Sequence, residues 1–251
     1  MNRLLILGAL LVSISFTYAQ EPATKPASKP AATKPAKPPR KATDAVSEVE
    51  KDRGRHDKYL AALKATPDTQ LVFLGDSITD AFPSKGKATW AKFAAYKPVG
   101  LGISADRTEH VLWRINHGTL DGINPKVLVL MIGTNNIGHN GDEKSEWAAA
   151  GVETIVKEIQ ARLPETKILL LAIFPRQKPN TSLRTRVAEV NQLIAKLDDG
   201  SKVKFLDIGK AFLDDKGNIP TDVMADLLHP TEKGYELWYN AMWPTLEGML
   251  K

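Results

Sequence analysis

A three-layer α/β/α sandwich with a mainly parallel central sheet is the fold this 251-residue sequence predicts. Short apolar runs recur along the chain, as strands buried on both faces should. Longer amphipathic patterns separate them, the spacing of strands alternating with helices. Two of the three polar motifs that stand out come directly after such runs, where open parallel sheets place their sites.

The N-terminal segments stand apart from that pattern. Residues 1–19 (MNRLLILGALLVSISFTYA) begin with Arg3, continue as an apolar run from Leu4 into Phe16, and end on Thr17 and Ala19 before Gln20. This reads as a secretory signal peptide cleaved after Ala19, because the run falls short of the roughly 20 residues of a spanning helix. A secreted or periplasmic bacterial location is the expectation. No cysteine follows to carry a lipid. Residues 20–45 repeat a Lys-Pro theme with Ala, Thr and Ser, a composition that cannot bury apolar surface and reads as a disordered, semi-rigid spacer. Association of this basic tail with an anionic cell surface is its functional alternative.

Charge and cysteine usage narrow the function. The formal charge of +5 resides in Arg3 and in residues 20–45, which leaves 46–251 neutral without a basic cluster and argues against nucleic acid as a partner. The chain has no cysteine, which removes disulfides, thiolate nucleophiles and thiolate metal sites. Residues 46–251 are long enough for one catalytic domain and too short for two ordinary ones.

Within that domain, 49–65 reads as a polar helix ending before Pro67. LVFLG after Gln70 is the first buried strand, with others at 127–132 (VLVLMI), 167–174 (KILLLAIF) and 203–206 (VKFL), and a weaker one at 96–99. Helical patterns occupy 109–115, 143–162, 183–197 and 231–250.

Gly75-Asp76-Ser77 follows the first strand and puts Ser77 at a helix start, near unsatisfied backbone N–H groups; a capping serine is the structural alternative. Gly133-Thr134-Asn135-Asn136 follows VLVLMI and offers Asn135 as an amide donor for an oxyanion, with Asn136 structural. In Asp226-Leu227-Leu228-His229-Pro230, a carboxylate three residues before a histidine can hold one ring nitrogen and leave the other as a base toward a serine. His56, His117 and His139 read as surface histidines. His110 and His117 lack the full spacing of a metal site. No motif calls for a cofactor or a metal.

These strings resemble the SGNH hydrolases, also called the GDSL esterase/lipase family, and especially its platelet-activating factor acetylhydrolase catalytic subunits. The resemblance covers residues 68–250 and rests on VFLGDSITD, ADRTEHVLWRINHG, INPKVLVLMIGTNN, FPRQKPN and DLLHPTEKGY, in that order. It implies a flavodoxin-like fold, Ser77 as nucleophile, and Asp226 and His229 as its partners. It further implies oxyanion donors at Ser77 N–H, Asn135 and the N–H of Ala105, where the family normally has glycine; Gly102 is the fallback. An alanine there retains the N–H but is costly if φ is positive. The Gly-x-Ser-x-Gly elbow of the α/β-hydrolases is absent, since residue 79 is Thr.

The function expected is a serine-dependent ester hydrolase that removes short acyl groups such as acetyl. An exported location favours an acetylated glycan or a lipid-like ester as its substrate, and the related subunits admit a homodimer. Arg176 and Phe82 are the expected substrate-binding residues; the alternatives are a solvent-facing or salt-bridged arginine and a phenylalanine that packs beneath the mouth with Trp90. Trp113 reads as core. The competing class is a noncatalytic carbohydrate or cell-surface binding protein with Ala105 as its first sign of decay.

Overall fold

The computed structural model describes residues 38–139 and 143–251. The expected signal peptide and most of the Lys-Pro segment lie outside the described residues. The elements in chain order are α1 (Arg53–Ala65), β1 (Leu71–Gly75), α2 (Ser77–Lys85), α3 (Lys87–Trp90), β2 (Val99–Gly102), α4 (Thr108–Arg114), β3 (Val127–Met131), α5 (Thr134–His139), α6 (Ser145–Arg162), β4 (Lys167–Leu171), α7 (Ser182–Ile194), β5 (Val203–Leu206) and α8 (Glu232–Leu250).

The five strands are parallel and ordered β2-β1-β3-β4-β5, the flavodoxin-like order. Alternate residues of each strand feed two separate cores. Val72, Leu74, Leu128, Leu130, Ile168 and Leu170 pack with the apolar sides of α4, α6 and α7. Leu71, Phe73, Val127, Val129, Met131 and Leu169 pack with α2 and α8. Burial on both faces explains why these strands read as unbroken apolar runs.

Of the boundaries that differ from the sequence expectation, three have a physical reason in the packing. α1 starts at Arg53 because the Asp52 side chain caps it through Arg55 N–H, while Val49 N–H is engaged by Glu109 O. The weak strand at 96–99 lies further on, at Val99–Gly102, since Lys97 is left-handed (φ 48°) and the pairing partner is the edge of β1. Its two glycines hid it from a hydrophobicity reading.

The third correction concerns the spacer. Ala42–Val46 forms a 3-10 turn with Ala45 fully buried. Arg40 reaches Glu109 (2.9 Å) and Glu143 (2.5 Å), both fully buried. The packed unit therefore begins at Pro39, ahead of the expected boundary at 46. Two buried carboxylates require a cation, and the end of the basic segment supplies one.

Candidate active site

β1 and β3 are the neighbouring strands at which the strand order reverses, so their carboxyl ends open a crevice. Ser77 stands at the end of β1 as the first residue of α2. Asp76 caps that helix through Oδ1, which accepts Ile78 N–H at 3.0 Å. A side chain at Gly75 would collide with Met131 O and Thr79 Oγ1, and one at Gly102 with Asp80 N and Asp76 O. Glycine is required at both positions by close backbone approach, which is how β1, β2, β3 and the Ser77 helix meet so tightly.

His229 arrives from the loop before α8. Its Nε2 lies 3.0 Å from Ser77 Oγ, and its Nδ1 lies 2.6 Å from Asp226 Oδ2. Asp226 Oδ1 also accepts the N–H of Leu228 (3.1 Å) and of His229 (2.8 Å), which fixes the carboxylate within its own loop. Partial burial of Asp226 works against ionisation, but its hydrogen bonds to His229 and the neighbouring charge outweigh that and hold the carboxyl below its usual range. Thr231 caps α8 through Gly234 N–H, and Tyr235 OH donates to Ile78 O at 2.7 Å, tying the helix behind His229 to the helix that carries Ser77. A serine, an imidazole and a carboxylate in this order can move the hydroxyl proton to the ring as the oxygen attacks.

The opposite wall is the turn after β2. Asp106 N–H donates to Ile103 O (3.0 Å) and encloses Ser104 and Ala105, with Ala105 at φ 62°. Asn135, the second residue of α5 just past β3, donates from Nδ2 to Asp106 O at 2.9 Å. An amide nitrogen carries two protons, so one remains beyond that bond. Asn136 is fully buried, accepts Thr108 N–H and donates to Thr108, Glu109 and Glu143 side chains.

A family model for GDSL-like lipases/acylhydrolases matches residues 73–237, which hold all of these groups. The chain belongs to the GDSL-like lipase/acylhydrolase family. It is an ester hydrolase. This acylhydrolase is 35% identical over 197 residues to the platelet-activating factor acetylhydrolase IB subunit alpha2 of Rattus norvegicus, covering 77% of this chain and 82% of that one. Among solved structures, a GDSL-like lipase from Bacteroides thetaiotaomicron aligns with TM-score 0.65 at 18% identity, over 77% of this chain and 97% of the other. An acetyl-xylooligosaccharide esterase from Geobacillus Stearmophilus aligns with TM-score 0.57 at 19% identity, over 69% and 92%.

The two expected substrate-binding residues of the acylhydrolase fare differently from the serine, histidine and aspartate. Phe82 is 0% exposed and stacks on Tyr235 (4.6 Å) and Trp238 (4.7 Å), so it belongs to the core beneath the site, with Trp90 against it. Its position on α2 faces the sheet, where a ring gains more from burial than from lining a wet crevice. Arg176 comes to the site but within its wall: Nη1 donates to Thr134 O (3.0 Å) and Oγ1 (3.1 Å). Burial pulls its guanidinium down from its usual value, opposed by the charges of Asp76 and Asp226.

His56 is buried, not a surface histidine; its Nε2 lies 2.9 Å from His117 O, and burial lowers its pKa. His110 is held neutral by burial, at about 4, and its Nδ1 accepts Arg107 N–H. Among the described residues no group of three or more His, Asp or Glu side chains converges where a metal ion could sit.

The sequence reading missed the supports of the Ala105 turn. Arg114 donates to Asp106 Oδ2 from Nε (3.0 Å) and Nη2 (2.9 Å), and to Leu101 O and Gly75 O. Lys51 donates to Ser104 O and to Asp106 Oδ1. The signal for Arg114 was present, since an arginine closes the apolar string HVLWR; Lys51 had none.

Proposed function

We propose that this acylhydrolase removes short acyl groups, acetyl first, from an acetylated carbohydrate, with Ser77 as nucleophile, His229 as base and Asp226 as its orienting partner. The observation that carries the reading is the hydrogen-bonded chain from Ser77 Oγ through His229 to Asp226, at 3.0 Å and 2.6 Å. His229 Nε2 takes the Ser77 proton as Oγ attacks the ester carbonyl. The oxyanion accepts from Ser77 N–H, a first-turn amide with no intrahelical acceptor, from Ala105 N–H and from the second Asn135 Nδ2 proton. His229 returns its proton to the departing alkoxide, and the acyl group remains on Ser77. Water activated by His229 then releases the acid and restores the serine.

Two observations support a bulky alcohol partner. The Asp226 side chain is 57% exposed and that of His229 32%, so the base stands at an open rim within reach of an ester displayed on a larger molecule. An enzyme with this fold is named for acetyl-xylooligosaccharides, and a relative at 35% identity is named an acetylhydrolase. We place the enzyme in the periplasm or outside the cell on the pattern of residues 1–19, with the Lys-Pro segment as spacer or surface tether.

The full chain and its Ser77→Ala variant, assayed on aryl esters from acetyl to octanoyl and on an acetylated xylan, test this. Fast acetyl release, abolished in the variant, with a covalent adduct from a serine-directed phosphonate, is the expected result. Preference for long acyl groups would move the substrate to lipids. Equal rates in variant and parent would overturn the serine mechanism.

A further inference from the structure

The turn that offers Ala105 N–H is built in a conformation that alanine resists. Asp106 N–H closes it on Ile103 O, and Ala105, its third residue, has φ 62°. Ser104 is absent from the residues with positive φ, so the pattern is that of a type II turn, in which the third position favours glycine. The alternative for an L-residue is a type I turn, reached by rotating the single peptide plane between Ser104 and Ala105. In a trans peptide the carbonyl and the N–H point in opposite directions. Rotation of that plane would turn Ala105 N–H away from where it now points and carry Ser104 O with it.

Ser104 O is held. The Lys51 ammonium donates to it and, at 3.0 Å, to Asp106 Oδ1, so one cation grips the turn on both sides of Ala105. Asp106 is anchored independently by Arg114 through Oδ2 and by Asn135 through its backbone oxygen. Among these contacts Lys51 alone touches the oxygen of the peptide that must not rotate. It lies outside the 73–237 region that matches the family, in the segment leading into α1, and its side chain is 29% exposed.

We propose that Lys51 is a positioning residue that locks the Ser104–Ala105 peptide, so that Ala105 N–H faces the oxyanion although alanine by itself favours the opposite orientation. A positive charge on Ser104 O also polarises the same peptide and strengthens its N–H as a donor. The inference rests on the serine mechanism proposed above. It assigns to a lysine outside the matched region the conformational work that a glycine would make unnecessary.

The test is a double-mutant cycle of Lys51→Met and Ala105→Gly in the full chain, with Lys51→Arg as the conservative variant. Lys51→Met is expected to lower kcat about ten-fold, the scale of the left-handed penalty for an L-residue, with KM unchanged. Lys51→Arg is expected to retain activity. In the Ala105→Gly background the Lys51→Met loss is expected to shrink to about two-fold, because glycine accepts the turn unaided. Unchanged kcat in Lys51→Met, or an equal loss in both backgrounds, would overturn the proposal. A crystal structure of Lys51→Met reads the turn without reference to activity: negative φ at Ala105 with Ser104 O rotated supports the lock, and an unmoved peptide refutes it. Ser77→Ala in parallel reports on the serine mechanism, so the two failures are distinguishable.

Discussion

Replacement of Asp76 by Asn probes the carboxyl that caps the Ser77 helix. Asp76 is 1% exposed, and while its Oδ1 accepts Ile78 N–H, no donor among the described residues reaches Oδ2. Burial raises this carboxyl and the negative charge of Asp106 adds to the effect; Ile78 N–H, Arg176 and Lys51 oppose it, and the balance lies at about 7 against an ordinary 3.8. An unfolded chain therefore releases this proton near pH 3.8, whereas the folded chain keeps it until about pH 7. Between those limits the folded state binds more protons than the unfolded state, so stability falls as pH rises through the window and levels off above it. At 1.36 kcal/mol per pH unit the full span amounts to something on the order of 4 kcal/mol. Asparagine keeps the acceptor for Ile78 N–H and carries no charge. Urea unfolding of both proteins from about pH 4 to about pH 8 isolates the effect, because all other titrations are shared and cancel in the difference. The variant is expected to gain on the parent as pH rises to about 7 and to hold that gain above it. Parallel stability profiles would refute the reasoning and show that Asp76 is ionised in the fold across the range.

Three further outcomes follow from the geometry. Asn135→Ala removes a proposed oxyanion donor and the bond to Asp106 O; kcat should fall roughly 10² to 10³-fold with KM little changed, and unaltered turnover in a folded variant would remove that role. Arg40→Ala leaves Glu109 and Glu143 buried without their shared cation and should cost about 3 kcal/mol in chemical unfolding, with recovery in the Arg40→Ala/Glu143→Gln double variant; an unchanged midpoint would show the latch to be idle. Phe82→Ala should cost about 3–5 kcal/mol, as a buried ring lost from an aromatic stack does, and should leave KM alone in the folded fraction; a raised KM with intact stability would restore Phe82 to the substrate wall.

Much of the candidate site was legible because its residues lie in short strings. A strand, a turn and a helix start are adjacent in sequence, so Ser77 and Asn135 could be placed at strand ends, and Asp226 with His229 in one loop, from local spacing alone. The relation between Ser77 and His229 is not local: 152 residues separate them, and only the parallel order of β1 and β3 and the docking of α8 on α2 brings Nε2 to 3.0 Å. The alanine at 105 was visible as a departure and its possible cost could be stated, but the positive φ itself is a property of the folded turn.

Side-chain direction is where sequence reasoning failed, since a residue near a motif can face the crevice or the core with equal local pattern. Phe82 turned inward to stack on α8, and Arg176 turned to Thr134 within the wall. The basic segment concealed its own exception: composition showed a spacer, yet Arg40 at its end bridges two carboxylates that lie 69 and 103 residues away. The sequence by itself determined four of the five strands, their alternation with helices, the neutral core and the polar motifs that meet at the crevice, because hydrophobic runs and turn residues act over a few positions. The tertiary structure alone decided which cations, Arg40, Lys51 and Arg114, meet which buried acceptors, because a charge finds its partner through space after the chain has closed, and neither composition nor spacing records that distance.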